Sequence, residues 1–136
     1  MHTSDLDTPA YIADLDVMER NISGMAERCR ALNIPLRAHT KSHKIPEIAH
    51  KQMAAGAIGI ACQKVGEAEA MVAGGIKDIL IPSNVVGPHK VERLTRLARR
   101  ATITVALDSE DVALGINERA RKDGCKVRVI IELDTG

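Results

Sequence analysis

The sequence predicts an α/β fold, a partial (β/α)8 TIM barrel with about five βα units and parallel strands. Short apolar runs alternate with segments of helical periodicity along all 136 residues. A polar residue follows each apolar run at intervals of 22, 21, 24 and 26 residues, at Lys41, Gln63, Asn84, Asp108 and Asp134. Such a rhythm indicates parallel strands joined by crossover helices. Polar residues at successive strand ends favour a barrel over the alternative, an open doubly wound sheet.

The first half of the chain supplies two strands and three helices. Asp14 or Asp16 is suited to cap a first helix, and Leu36–Lys41 is predicted to be extended. The apolar stripe of that first helix recurs every three or four residues, at Leu15, Met18, Ile22, Met25, Cys29 and Leu32. A second helix starts near Pro46, a good first-turn residue, and ends at Gly56. The next strand is Ala57–Gln63, and the next helix is Glu67–Ala73, which ends at a pair of glycines.

The second half continues the same cycle. The continuous apolar run in Asp78–Pro82 predicts a strand, and Pro88 opens a helix with Val91, Leu94, Leu97 and Ala98 on one face. Ile103–Leu107 is the fourth strand. Ser109 then caps a helix that carries acidic residues in its first turn, where they suit the helix dipole, and that ends at Gly124. Lys126–Leu133 is the last strand.

The composition excludes several classes of protein. With 45% apolar and 27% charged residues the chain has the balance of a globular domain, and its net charge of +1 argues against a nucleic-acid-binding surface. The only aromatic residue is Tyr11, so no base-stacking platform is present. Three widely spaced cysteines without a CxxC pair indicate reduced thiols, and the polar N-terminus has no signal-peptide pattern. We therefore expect a cytoplasmic location and no membrane partner.

The length indicates part of a barrel. A complete eight-unit barrel takes roughly 250 residues, whereas this chain supplies about five strands. We interpret residues 1–136 as the N-terminal portion of a longer protein. The alternative is a complete small α/β sheet domain.

The segment Arg37–Lys44 carries the chemistry. Alternation along a strand places Arg37, His39 and Lys41 on one face, and His43 joins them only if the extended conformation continues. A lysine at the carboxyl end of a barrel strand is suited to Schiff-base chemistry, because burial and neighbouring cations disfavour its charged form. Lys44 falls on the opposite side, where the chain turns into the next helix and its ammonium is solvated.

Other interpretations of this segment remain open. A Lys, His and Arg cluster is commonly a solvated surface. Metal binding by His39 and His43 needs further ligands, which Asp108 and Asp134 fit only loosely. Nucleotide binding and Ser-His-Asp catalysis lack their motifs, since no GxGxxG, Walker or GxSxG sequence is present.

Three stretches resemble a known family. Residues 8–16, TPAYIADLD, followed by ERNI at residues 19–22, look like the start of alanine-racemase-like fold-type III pyridoxal phosphate enzymes. RAHTKSHK at residues 37–44 is similar to the RPHxKTHK signature of the D-threonine aldolase and D-serine dehydratase branch. ACQKVGEAE at residues 61–69 is similar to the CQKxxEAE segment typical of D-threonine aldolases. Ala38 and Ser42 replace the usual Pro and Thr, and both changes leave the chemistry in place.

The resemblance implies a site and an activity. Lys41 would be the catalytic residue that forms the Schiff base with pyridoxal phosphate, with His39 and His43 flanking the cofactor and Gln63 near it. The implied activity is that of a lyase on β-hydroxy-D-amino acids, with retro-aldol cleavage of D-threonine to glycine and acetaldehyde. D-serine dehydratase-type elimination, amino-acid racemisation and a non-catalytic pyridoxal phosphate-binding protein of cofactor homeostasis are the alternatives.

The resemblance also implies what lies outside these 136 residues. The phosphate-binding strands belong to the later half of the barrel, and the ligands of a divalent metal ion belong to a C-terminal β-domain. We therefore expect no metal ligands within this chain and no activity from the segment alone. The expected partner is a small D-amino acid, and a homodimer is the expected assembly to test.

Overall fold

The computed structural model describes residues 2–136 and contains one parallel five-stranded sheet with five α-helices. The strands are β1 (Arg37–His39), β2 (Gly59–Ala61), β3 (Asp78–Ile81), β4 (Thr102–Leu107) and β5 (Arg128–Ile131). The helices are α1 (Leu15–Ala31), α2 (Pro46–Ala54), α3 (Val65–Ala73), α4 (Pro88–Ala98) and α5 (Glu110–Asp123). A short 3-10 helix at Thr3–Asp5 precedes them and was not predicted.

The strand order confirms the barrel prediction. The order is β1-β2-β3-β4-β5, and every neighbouring pair is parallel. In a doubly wound sheet the order reverses at a switch point, and no reversal occurs here. The sheet is therefore a partial barrel wall. All five carboxyl ends lie at one edge, and the predicted polar residues follow them.

The core lies between the helices and one face of the sheet. Alternate strand residues are buried there, as β3 shows with Ile79 and Ile81, both 0% exposed. The cluster also includes Ile60, Ile103 and Val105 of the sheet, and Ala68, Met71, Leu94, Leu97 and Ile116 of the helices. Burying a side chain of this size contributes about 1.5–3 kcal/mol. Aliphatic side chains thus form the core in a chain without Trp or Phe.

The other face of the sheet is the one that lines the interior of a barrel. By alternation it carries Arg37 and His39 of β1, Gly59 of β2, and Asp78 and Leu80 of β3. Arg37, His39, Asp78 and Leu80 are only partly buried. Arg37 and His39 therefore lie on the face of the sheet opposite the buried Ile79 and Ile81 of β3.

Local capping explains the helix boundaries. Asp14, one of the two predicted caps, accepts a hydrogen bond at Oδ1 from the backbone N–H of Val17 at 3.0 Å. Gly124 ends α5 with a φ of 63°, a left-handed conformation that suits glycine. Ser109 takes the predicted N-cap position of α5 but makes no capping hydrogen bond with its side chain. No helix within residues 2–136 is both long and apolar enough to cross a membrane.

The apolar stripe predicted along α1 is not a buried stripe in this structure. Leu15, Met25 and Leu32 are 61%, 51% and 63% exposed, and the single buried residue of α1 is Ala26. The reason is position: α1 precedes the first strand and packs mainly against α2. The periodicity correctly identified a helix, but it did not identify a partner for this face within the described chain.

Candidate active site

The candidate site begins where β1 ends. Thr40, which is fully buried, donates from its backbone N–H to the carbonyl oxygen of Ala61 at 2.8 Å, and its hydroxyl lies 3.1 Å from the same oxygen. Lys41 follows in a turn and is exposed. The N–H of Lys44 closes that turn on the Thr40 carbonyl at 2.8 Å. The buried Thr40, held by two hydrogen bonds to one carbonyl oxygen, thus anchors the backbone next to the exposed amine of Lys41.

The two histidines of this segment are each locked into one tautomer. The backbone N–H of Lys41 donates to Nδ1 of His39 at 3.2 Å, and that of Ile45 donates to Nδ1 of His43 at 3.0 Å. An imidazole nitrogen that accepts carries no proton, so each neutral ring carries its proton on Nε2. Both Nε2 atoms are buried, and that of His39 has no hydrogen-bond partner within residues 2–136. His39 therefore offers an N–H donor without an acceptor, whereas the ring of His43 has the side chain of Gln52 as a hydrogen-bonding neighbour.

The turn changes the predicted geometry of the segment. β1 ends at His39, so Lys41 lies two residues beyond the strand and His43 does not continue an extended segment. Burial lowers the pKa of His43 below its ordinary value of 6.5, which keeps the ring neutral at pH 7. His39 lines a cavity of about 350 Å³ beside α1, together with Ile22 and Met25.

Gln63 lies in the loop that follows β2. Its backbone N–H donates to Oε2 of Glu67 at 2.8 Å, and its carbonyl oxygen accepts a hydrogen bond from the Ser83 hydroxyl at 3.2 Å. The backbone is therefore held at both polar groups, while the residue as a whole is exposed. This leaves the side-chain amide available at the same edge as Lys41.

Glu67 is a functional candidate that the sequence analysis missed. It lies in the first turn of α3, is 7% exposed, and places Oε1 3.6 Å from Nζ of Lys44. Lys44 is 56% exposed, as the sequence predicted, but it is paired and not simply solvated. The available signal was the joint occurrence of an HK dipeptide after β1 and an acidic residue four positions after Gln63.

Arg37 is not one of the cations beside Lys41, because it is paired with Asp78. Arg37 begins β1, at the end of the strand away from Lys41, and its Nη1 lies 2.7 Å from Oδ1 of Asp78. The same nitrogen is 3.3 Å from the carbonyl oxygen of Ile60. The guanidinium crosses over Gly59, which has no side chain to block it. Arg37 therefore belongs to the base of the sheet face and not to the site.

The remaining polar residues extend the edge along β3 and β4. Nδ2 of Asn84 donates to Oδ1 of Asp108 at 2.7 Å, which joins the two loops directly. Asp134 follows β5, where its Oδ1 accepts from the N–H of Gly136 at 3.0 Å. Within residues 2–136 there is no group of three or more His, Cys, Asp or Glu side chains that could hold a metal ion. The loosely fitting ligand set of two histidines and two aspartates is therefore not assembled.

The donor set fits an aldehyde better than a metal ion. Lys41 supplies an exposed primary amine that can condense with a carbonyl, and His39 supplies a buried N–H group without an acceptor within residues 2–136. The neighbouring thiol is not a competing nucleophile, because burial raises the pKa of Cys62 and its Sγ lies 3.5 Å from the Thr40 hydroxyl. Amine chemistry at Lys41 is what this arrangement can perform.

Comparison with known sequences identifies relatives. Residues 13–136 match the sequence profile described as the alanine racemase N-terminal domain. A 3-hydroxy-D-aspartate aldolase from Paracoccus denitrificans is 39% identical over 138 residues, covering 100% of this chain and 36% of that protein. A D-threonine aldolase from Arthrobacter sp. is 42% identical over 131 residues, covering 96% of this chain and 35% of that protein.

Solved structures give the same picture. D-threonine aldolase from Filomicrobium marinum superposes with a TM-score of 0.95 at 46% identity, covering 98% of this chain and 36% of that one. D-threo-3-hydroxyaspartate dehydratase from Delftia sp. HT23 superposes with a TM-score of 0.87 at 39% identity, covering 96% and 35% of the two chains. The chain thus spans about a third of the length of the relatives it matches.

Proposed function

The chain belongs to the alanine racemase N-terminal domain family, and from this premise we propose that it forms the first part of a pyridoxal phosphate-dependent lyase. The proposed substrates are β-hydroxy-D-amino acids, and the proposed reaction is retro-aldol cleavage of D-threonine to glycine and acetaldehyde. In this proposal the later barrel strands and a C-terminal β-domain complete the protein. They also supply the ligands of a divalent metal ion. A cytoplasmic homodimer is the form we expect.

One observation carries the proposal. An exposed lysine amine stands at the carboxyl end of β1, on a turn anchored by the buried Thr40. The imidazole of His39 lies beside it, accepts from the Lys41 backbone N–H, and has a buried Nε2 without a hydrogen-bond partner within residues 2–136. Active sites of barrel enzymes are assembled from this end of the strands. A similar arrangement of the whole chain occurs in a D-threonine aldolase, with a TM-score of 0.95.

The residues of this chain would divide the work as follows. Lys41 would hold pyridoxal phosphate through Nζ and release it to the incoming substrate amine. When bound, the cofactor supplies an electron sink for the electron pair released as a bond to the substrate α-carbon breaks. The Nε2–H of His39 would donate to an acceptor on the cofactor, and His43 would flank it. The Gln63 amide would face the same space from the neighbouring loop.

A second candidate reaction is elimination of water from the same class of substrate. It is favoured by the 39% identity to D-threo-3-hydroxyaspartate dehydratase. Incubation of the whole protein with D-threonine, L-threonine and D-threo-3-hydroxyaspartate separates the two. An aldolase forms glycine and the aldehyde, whereas a dehydratase forms ammonia and a keto acid. Ammonia without glycine from both D-substrates would overturn the aldolase assignment.

The cofactor lysine is tested by reduction. The whole protein is loaded with pyridoxal phosphate, treated with borohydride, digested and mapped. We expect the pyridoxyl group on Lys41, abolished in Lys41→Ala and retained in Lys44→Ala. The reason is that the Lys41 side chain is exposed in the turn after β1, whereas the ammonium of Lys44 is engaged by Glu67. A pyridoxyl group on Lys44 would refute this assignment. Failure of the wild-type protein to bind the cofactor would refute the proposal as a whole.

A further inference from the structure

Glu67 is the one charged residue among residues 2–136 that is buried. Burying a carboxylate is costly unless it is paired and hydrogen-bonded. The two oxygens of Glu67 are divided between two partners: Oε2 accepts from the backbone N–H of Gln63 at 2.8 Å, and Oε1 lies 3.6 Å from Nζ of Lys44. A single carboxylate therefore contacts the loop after β1 and the loop after β2.

The contact with Lys44 acts on the turn that carries Lys41. Lys44 has a φ of 55°, a left-handed conformation that is unfavourable for a residue with a side chain. Its N–H closes the turn on the Thr40 carbonyl, and its ammonium group is held by Glu67. The turn from Thr40 to Lys44 is thus fixed at one end by the sheet and at the other by this carboxylate.

We propose that Glu67 is a positioning residue. Through the Lys44 ammonium and the backbone N–H of Gln63, it sets the direction in which the Lys41 amine points. This inference rests on the proposed binding of pyridoxal phosphate by Lys41. Capping of α3 alone would explain the bond to Gln63, and a neutral glutamine oxygen would serve that purpose equally. Capping does not explain the contact with Lys44. The ion pair between Glu67 and Lys44 therefore indicates a second role for Glu67.

The test compares four variants of the whole protein. Glu67→Gln keeps an oxygen for the Gln63 N–H but removes the charge, Lys44→Met removes the ammonium, and the double variant removes both. Glu69→Gln is the matched control, because Glu69 lies on the same helix and is paired with Arg93 of α4. Titration with pyridoxal phosphate measures the dissociation constant, and visible circular dichroism of the bound cofactor reports the geometry of its attachment.

The expected results follow from the loss of one contact, the partly solvated ion pair between Glu67 and Lys44. Glu67→Gln and Lys44→Met should each raise the dissociation constant about tenfold. The double variant should also show about a tenfold loss, because both changes break the same contact. All three should weaken the induced circular dichroism band. Glu69→Gln should stay within about twofold of the wild type with an unchanged band, as expected for loss of an exposed ion pair.

Several outcomes would overturn the inference. One is a wild-type dissociation constant and circular dichroism band in Glu67→Gln, and another is a loss of cofactor affinity in Glu69→Gln equal to that in Glu67→Gln. A third is a loss of affinity of about a hundredfold in the double variant, the product of the two single losses. If Glu67→Gln fails to fold, Lys44→Met decides alone, since the Lys44 side chain is 56% exposed. A wild-type protein that binds no cofactor would instead refute the proposed function, so the two failures are distinguishable.

Discussion

Gly59 is the position where a single methyl group should disturb the sheet most clearly. A Cβ built on Gly59 would stand 2.1 Å from Nη1 of Arg37, 2.8 Å from its Cζ and 2.9 Å from Oδ1 of Asp78. Real Cβ atoms do not approach other atoms so closely. Gly59→Ala must therefore push the Arg37 guanidinium aside and break its 2.7 Å contact with Asp78.

The expected cost follows from that broken contact. A hydrogen bond to a charged group contributes about 1.5–3 kcal/mol, and solvent reduces this for side chains that are 24% and 34% exposed. Replacing glycine by alanine returns about 0.4–1 kcal/mol, because the unfolded chain loses freedom. Gly59→Ala should thus lower the free energy of unfolding by about 1 kcal/mol.

Urea denaturation of matched variants measures this difference. In an Arg37→Ala background the guanidinium is gone, and the Asp78 carboxylate, no longer held by it, can turn away from the 2.9 Å contact. Adding Gly59→Ala should then become neutral or stabilising by up to about 0.5 kcal/mol. Gly24→Ala in α1 is the control, since a Cβ there meets nothing within 4 Å. It should stabilise by about 0.5–1 kcal/mol. A Gly59→Ala cost that persists unchanged without the Arg37 side chain would refute the reasoning.

Three further predictions concern titration and reactivity. Burial lowers the pKa of His43, so in the unfolded state this residue binds its proton at a higher pH than in the folded state. The wild type should therefore lose stability as the pH falls below about 6.5. The urea midpoint of His43→Gln should fall less than that of the wild type over the same pH range. Hydrogen bonds from Thr95 and from a neighbouring arginine lower the pKa of Asp123 below its ordinary value of 3.8. This carboxylate therefore stabilises the fold at pH values above about 3.8, and the stabilisation is lost as the pH falls through its folded pKa. In Thr95→Val an NMR titration should show the pKa of Asp123 moving upward; an unmoved value would contradict the hydrogen bond at 2.6 Å. Cys62 is fully buried and its pKa is raised, so a thiol reagent should modify Cys29 and Cys125 before Cys62 in the native protein; equal rates at all three would contradict the buried placement.

The sequence predicted the order and type of the elements because local patterns carry that information. The apolar run at Ile79–Ile81 and the proline at position 88 identified β3 and the start of α4 within a residue. The strands themselves are shorter than predicted at β1, β2 and β5. In β1 and β2 the residues that follow the strand bend into the loops of the site, where Lys41 and Gln63 leave the ladder.

The pairing of charges was not predictable in the same way. Arg37 and Asp78 lie on strands separated by β2, and they face each other only because Arg37 aligns with Gly59 in the ladder. A shift of one residue in register would move either side chain to the other face of the sheet. Periodicity gives the direction of a side chain along its own strand, but it carries no information about register with another strand.

The consecutive order of the strands has a consequence for how the chain reaches its fold during synthesis. Each strand pairs with the one made just before it, so no strand has to wait for a partner encoded far downstream. The hydrogen bonds and the ion pair described above for the turn of Lys41 come from residues no later than Glu67. Protease protection of ribosome-bound chains of increasing length would follow this process. The lysine turn can therefore be organised before β3, β4 and β5 have been translated.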